Sequence, residues 1–296
     1  MAAGKRILVM TGGHRVAIDD FLGAIAAICT DRGWVWAHAT QPSAQSWLDP
    51  AYAGSWDAIL MHDIPGLALA RGTEPLPIPP AAGVAEALVG LLDAGQGIVV
   101  LHHAISAWPA WEGWAEAIGG RFNYCPARLR GQELPSSGYR HATFTVQVAD
   151  PAHPICDGVT DFTIDDELYF APVLNDRITP ILTHDADMSG ALFQDTFDEV
   201  SNGSSTGITC ADRGADSGIH GGHNLMGWTT IAGISPVAAL LMGDGPSTFA
   251  NPMFRTLLGN ALDWASSEGA HNAAAARPFA VPLPSRSYSC RGDLTA

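Results

Sequence analysis

Gly97-Ile98-Val99-Val100-Leu101-His102-His103-Ala104 carries an apolar run straight into two adjacent histidines, at the point where a strand should hand over to a helix. In open α/β sheets the carboxyl ends of the strands are where ligands bind. Imidazole titrates near neutrality and ligates metals, so a pair at such a turn suggests proton transfer, metal binding or polar recognition. A ring that merely hydrogen-bonds backbone at a strand end is the alternative.

Outward from this stretch the chain repeats the same rhythm. Lys5–Met10 reads as a strand ending in Thr11-Gly12-Gly13-His14, and residues 17–31 then place Ile18, Phe21, Leu22, Ile25 and Ile28 at helical spacing. Residues 34–39 and Trp56–His62 read as further strands, and a helix over 83–94 feeds the strand 97–101. Alternating strands and helices imply parallel strands joined by right-handed crossovers. After residue 120 the pattern changes. Phe144–Val148 alternates as a half-buried strand, 201–223 reads as a long Gly/Ser/Asp/His-rich loop, Val237–Met242 as a last strand, and 252–265 as an amphipathic helix. The expected organisation is one α/β domain over 1–266 and a Pro/Ala/Ser-rich tail over 267–296.

Composition narrows the partners. The 296 residues, 47% hydrophobic, suffice for a large core, and no apolar run is long enough for a membrane helix. A net charge of −15 argues against nucleic acid, whose phosphates demand clustered cations. Cys29, Cys125, Cys156, Cys210 and Cys290 are odd in number and scattered, which suggests a reducing compartment, and the cytoplasm is the expected location. No feature fixes the oligomeric state, and a homo-oligomer stays open.

Three further clusters bear on chemistry. Asp165-Asp166-Glu167-Leu168-Tyr169 lies among Phe162, Ile164 and Phe170, as a strand through a core would. Strand periodicity puts Glu167 and Tyr169 on one face and Asp166 on the other, with Glu167 the inward carboxylate. His220-Gly221-Gly222-His223 could bring two imidazoles together, or be a loop with incidental histidines. Trp108, Trp111 and Trp114 could offer an indole to a sugar ring, although their three-residue spacing fits core packing for two of the three. Gly12-Gly13 lacks the dinucleotide and P-loop fingerprints and suits a tight turn. No Cys or Ser stands in a glycine-framed elbow, and Ser106 lacks that frame.

Ile7–His14, Gly97–Ala104, Trp111 to Phe122, His153-Pro154-Ile155, Asp166–Tyr169, Phe249–Arg255 and Asn260 to Trp264 occur in an order that resembles the trehalose-utilisation, or ThuA-like, family, over about residues 5–266. The resemblance implies a flavodoxin-like fold similar to class I glutamine amidotransferases without their catalytic cysteine: a mostly parallel sheet with helices on both faces and antiparallel excursions in the second half. It places the His102-His103 pair where those relatives carry the thiol. It also implies a role with disaccharides or 3-keto-glycosides. His102, His103, Glu167 and Tyr169 become the expected catalytic groups, and His14, Asp166, Trp108, Trp111 and Asp244 the substrate-binding ones. Asp244 is a departure, because relatives often carry histidine after that last strand. Three functions follow as expectations: acid–base chemistry on a sugar derivative by hydrolysis, elimination or isomerisation; the same with a divalent metal, zinc by donor type, on His103, Glu167, His220 and His223; or a non-catalytic sugar-binding or scaffold protein.

Overall fold

A computed structural model describes residues 4–214 and 223–284. The first half follows from short apolar strands alternating with amphipathic helices: β1 (Arg6–Gly12), α1 (Ile18–Arg32), β2 (Val35–Thr40), β3 (Ala58–Asp63), α2 (Val84–Asp93) and β4 (Ile98–Leu101). β3 and β4 are buried at every position, as strands sandwiched between helical layers must be. Gly33 ends α1 in the left-handed conformation, its N–H returning to the carbonyls of Cys29 and Thr30.

The second half adds α3 (Glu112–Ile118), β5 (Gly138–Val148), β6 (Phe162–Phe170), β7 (Thr179–His184), α4 (Thr196–Asn202), β8 (Leu225–Ala232) and β9 (Ser235–Leu240). It closes with α5 (Pro246–Ala250), α6 (Pro252–Ala265) and α7 (Glu268–Ala275). The main path through the sheet is β6-β5-β7-β8-β9-β4-β3-β1-β2. β9, β4, β3, β1 and β2 run parallel, whereas β6, β5, β7 and β8 pair antiparallel, down to the β8–β9 hairpin.

The step from β1 to β2 runs in the opposite direction along the sheet from the step from β3 to β4. Right-handed crossovers therefore put α1 and α2 on opposite faces. α6 joins the α1 layer, contacting α1 and lying across β3, β4 and β9, while α3 packs on β8 and β9. Asn251 caps α6 by accepting the N–H groups of Met253 and Phe254, ahead of Pro252 in the first turn, and Phe254, Leu257, Leu258, Ala261 and Leu262 are buried. Burying each such large side chain contributes about 1.5–3 kcal/mol before chain entropy is subtracted.

The structure differs from the sequence reading mainly in the second half. The strand foreseen at 144–148 begins at Gly138, and β7 and β8 were not foreseen. The segment 201–223 begins inside α4, and its residues 215–222 lie outside the described ones. Beyond residue 266 the chain forms α7 against α6 and β9, and the Trp111 indole donates to the carbonyl of Pro282. Cys29, Cys125, Cys156 and Cys210 are buried. Among the described residues no helix is long and apolar enough to cross a membrane.

Candidate functional site

Four parallel strands deliver polar groups to one edge of the sheet. His14 follows β1, His62 is the last residue but one of β3, His102 and His103 follow β4, and Asp244 follows β9. Because β1 and β3 open in opposite directions, this edge holds the crevice where such sheets bind ligands. Two backbone features shape it. Gly13 has φ +83°, and a Cβ there would lie 2.2 Å from the carbonyl oxygen of Ile64, so the turn after β1 requires glycine. His102 itself has φ +42°, a left-handed conformation uncommon outside glycine, at the sharp turn from β4 into a 3₁₀ segment over His102–Ser106.

The opposite wall comes from the antiparallel half. In the sheet four strands separate β6 from β4, yet the Tyr169 hydroxyl lies 2.7 Å from His102 Nε2. The antiparallel half therefore curls back over the carboxyl ends of the parallel strands. Glu167 and Tyr169 share the inner face of β6, opposite His141 and Tyr139 of β5.

Electrostatics separate the two adjacent histidines. His102 Nδ1 donates to the Leu241 carbonyl at 2.7 Å, which leaves Nε2 toward Tyr169 and toward Glu167 Oε2 at 3.3 Å. Burial opposes a charge on His102, but the Glu167 hydrogen bond and charge, with Asp166 and Asp244, outweigh it and raise its pKa to about 8. Burial drives His103 the other way, to about 4; Asp244 opposes the fall, and the charges of His102 and His14 deepen it. The neighbouring His103, with burial opposing and His102 assisting, holds Asp244 down to about 2. Burial, reinforced by Glu167, keeps the Tyr169 phenol protonated well above its ordinary range.

These groups open into a cavity of about 720 Å³, walled by His14, His103, Tyr124, Glu167, Tyr169 and Asp244, with Tyr139, His141 and α4 on its far side. His103, not His102, faces it; His102 lies fully buried behind Tyr169. His14 lies against His103 in a tilted contact, ring centroids 4.5 Å apart, and His103 stacks in turn on buried His62 at 4.9 Å. Burial, then the neighbouring imidazoles, hold His62 far below its ordinary pKa, so it supports His103 as a neutral ring.

His102, His103, Glu167 and Asp244 each offer a donor atom within 4.8 Å of the others, so the cluster could hold a metal ion. His103 Nε2 is buried without a hydrogen-bond partner, 3.5 Å from Asp244 Oδ1, and is a free donor for such an ion.

The structure thus gathers His14, His102, His103, Glu167, Tyr169 and Asp244. It places the other candidates elsewhere. Asp166 turns away from the cavity: its carboxylate accepts the N–H groups of Gly243, Asp244 and Glu167 and so fastens the turn that carries Asp244. The expected stacking face on Trp108 and Trp111 is corrected by their burial, since with Trp114 they form an edge-to-face core cluster no sugar can reach. His223 is also corrected as a ligand beside Glu167. Its Nε2 donates to the Ala171 carbonyl and its Nδ1 accepts from Leu225 N–H, so both nitrogens are engaged. His220 lies outside the described residues. The sequence reading did not single out His62, His141, Tyr139 or Tyr124. His62 carried the same signal as His102, a histidine at the end of an apolar strand.

Fold and site define an α/β protein with a polar acid–base cavity at the carboxyl edge of its parallel strands. The chain belongs to the ThuA family, described as trehalose utilisation, which matches residues 6–265. Among solved structures it is similar to a ThuA-like protein from Parabacteroides merdae (15% identity, TM-score 0.58, covering 89% of this chain and 90% of that one). Another ThuA-like protein, from Bacteroides uniformis, is similar to the same degree (16% identity, TM-score 0.58, covering 90% and 94%). A more distant likeness is to a glutamine amidotransferase from Thermotoga maritima (9% identity, TM-score 0.41, covering 89% and 99%). No curated protein matches.

Proposed function

We propose that this chain transforms a carbohydrate, a disaccharide or a keto-glycoside, by acid–base chemistry in the cavity of Glu167 and Tyr169. The family's description as trehalose utilisation supports the substrate class. The 2.7 Å contact between the Tyr169 hydroxyl and His102 Nε2 carries the chemistry. Charged His102 donates to the phenol oxygen, which leaves the phenolic hydrogen to a substrate oxygen in the cavity. His102 therefore acts through Tyr169. On a keto-sugar the carboxylate of Glu167 takes the proton from the carbon beside the carbonyl, while Tyr169 protonates the carbonyl oxygen. The enediol so formed leads to isomerisation or to β-elimination, and such paired proton transfer contributes about 10²–10⁴-fold. Asp244, held ionised, accepts from sugar hydroxyls, and neutral His103 supplies a hydrogen bond without a charge.

The test incubates disaccharides and their 3-keto derivatives with the protein in deuterated water and follows them by mass spectrometry. Deuterium enters beside the carbonyl with the native chain and not with Glu167→Gln. Absence of both exchange and turnover across the panel would overturn the reading and leave the non-catalytic binding or scaffold role.

The second reading places a divalent metal on His102, His103, Glu167 and Asp244. Two imidazoles and two carboxylates form a donor set suited to zinc, and the His102 Nδ1–H bond to a carbonyl is the outer support that metal-bound histidines use. Bound there, zinc would polarise a carbonyl or activate water. Metal analysis of untagged protein decides. A content below about 0.2 equivalents, with activity that survives chelation, removes the metal.

A further inference from the structure

The cavity has a second pole. Its floor carries Glu167 and Asp244, but its wall also includes Arg15, next to His14, and Arg71, in the connection between β3 and α2. In this chain cations are scarce, 15 Lys and Arg against 30 Asp and Glu. Most described ones are committed: Lys5 to Asp263, Arg6 to Asp57, Arg130 to Glu116 and Asp176, and others to backbone carbonyls. Arg15 and Arg71 make no side-chain hydrogen bond or ion pair among the described residues, although the cavity they line holds three carboxylates. Both residues are exposed.

Arg71 is held in place through its loop rather than its side chain. The N–H of Gly72 donates to the Val200 carbonyl of α4 at 2.8 Å, which sets Arg71 on the side of the cavity formed by Tyr139 and Glu199. There Glu199 accepts a hydrogen bond from the Tyr139 hydroxyl. Glu167 and Asp244, beside His102 and His103, would repel an anion, so an acidic group is drawn toward the two arginines, where Glu199 is engaged by the Tyr139 hydroxyl. A ligand that carries one would thereby be oriented, its neutral hydroxyl or carbonyl end directed at Tyr169 and Glu167.

We propose that Arg15 and Arg71 form an anion subsite, and that the carbohydrate of this cavity bears a carboxylate or phosphate group, as a sugar acid or a sugar phosphate. This rests on the carbohydrate reading above and specifies its substrate class. Guanidinium groups match both oxyanions, since planar N–H forks pair with two oxygens at once.

The test measures binding of glucose, glucuronate, glucose 6-phosphate and inorganic phosphate to the full chain by calorimetry at low ionic strength. At least one acidic sugar is expected to bind about tenfold or more tightly than glucose, and the better of the two tells whether carboxylate or phosphate is the natural group. That advantage is expected to vanish in the Arg15→Gln/Arg71→Gln chain, whose fold is checked by circular dichroism, and to shrink as salt is added. Acidic sugars that bind no better than glucose would overturn the subsite and leave the carbohydrate reading standing. Phosphate binding that needs both arginines, without binding of any sugar, would uphold the subsite and overturn the carbohydrate reading. An acidic-sugar advantage that survives loss of both arginines would overturn the assignment to these residues.

Discussion

The Tyr169 hydroxyl lies 2.7 Å from Nε2 of His102, although in the sheet four strands lie between those that carry them. Tyr169 faces the cavity and His102 does not, so the two form one path for a proton. Tyr169→Phe is expected to lower kcat by about 10²–10⁴-fold while KM changes little, because the phenol acts on charge that develops in the reaction. His102→Gln should cost a similar factor, and the double variant no more than the worse single one. Steady-state kinetics decide this, and losses that multiply would show two independent roles instead.

Asp166 shapes the site from below. One of its oxygens accepts from Gly243 N–H at 2.7 Å, and the other from Asp244 N–H and Glu167 N–H at 3.0 and 2.9 Å. An asparagine can accept on one side only, and its NH₂ would then face a backbone donor. Asp166→Asn is expected to destabilise the fold by about 1–3 kcal/mol, and to raise KM through displacement of Asp244. Urea unfolding and substrate titration check the two effects. An unchanged unfolding midpoint would show that the turn does not depend on this carboxylate.

The parallel half of the fold was legible because each of its strands is an apolar run and each helix has a 3.6-residue stripe; α6 matches its expected bounds of 252–265. The same half announced His102 and His103, since the end of such a strand is visible in one dimension. Strand alternation also placed Glu167 and Tyr169 on one face of β6. That this face curls over to meet His102 was not legible, because it depends on the order β6-β5-β7-β8-β9, fixed by long-range pairing with little local signal. Tyr139 and His141 were missed for that reason: they belong to the site only through their pairing with Tyr169 and Glu167. Asp166 was placed on the opposite face by alternation, but two of the three backbone donors it serves lie 77 and 78 residues further along the chain.

The tryptophan cluster yields a prediction that separates packing from recognition. Trp108, Trp111 and Trp114 touch one another with ring centroids 5.2–6.4 Å apart, and Trp111 Nε1 donates to Pro282 at 2.7 Å. Trp111→Phe should cost about 1–3 kcal/mol of stability through the lost hydrogen bond and the void it leaves. It should leave KM within about twofold of the native value, because the ring has no surface in the cavity. A large rise in KM at unchanged stability would return Trp111 to the binding site.

Asp63, at the end of β3 beside His62, supplies the pH test. It is fully buried and accepts a hydrogen bond from Gln41 at 2.6 Å; burial raises its pKa from 3.8 to about 6, with the Gln41 bond opposing the rise. The folded chain therefore holds this proton more tightly than the unfolded chain does. Its contribution favours folding below about pH 4 and is lost as pH climbs through about 6, where the buried carboxylate ionises. Asp63→Asn keeps the acceptor for Gln41 and cannot ionise. Its stability relative to the native chain is expected to be near zero below pH 4 and to rise to about 1–3 kcal/mol in its favour at pH 7. Urea unfolding of both chains at a series of pH values measures this difference. A gap that stays flat from pH 4 to 7, or that favours the native chain at pH 7, would mean that the ionised carboxylate is stabilised in the fold by interactions stronger than the Gln41 bond.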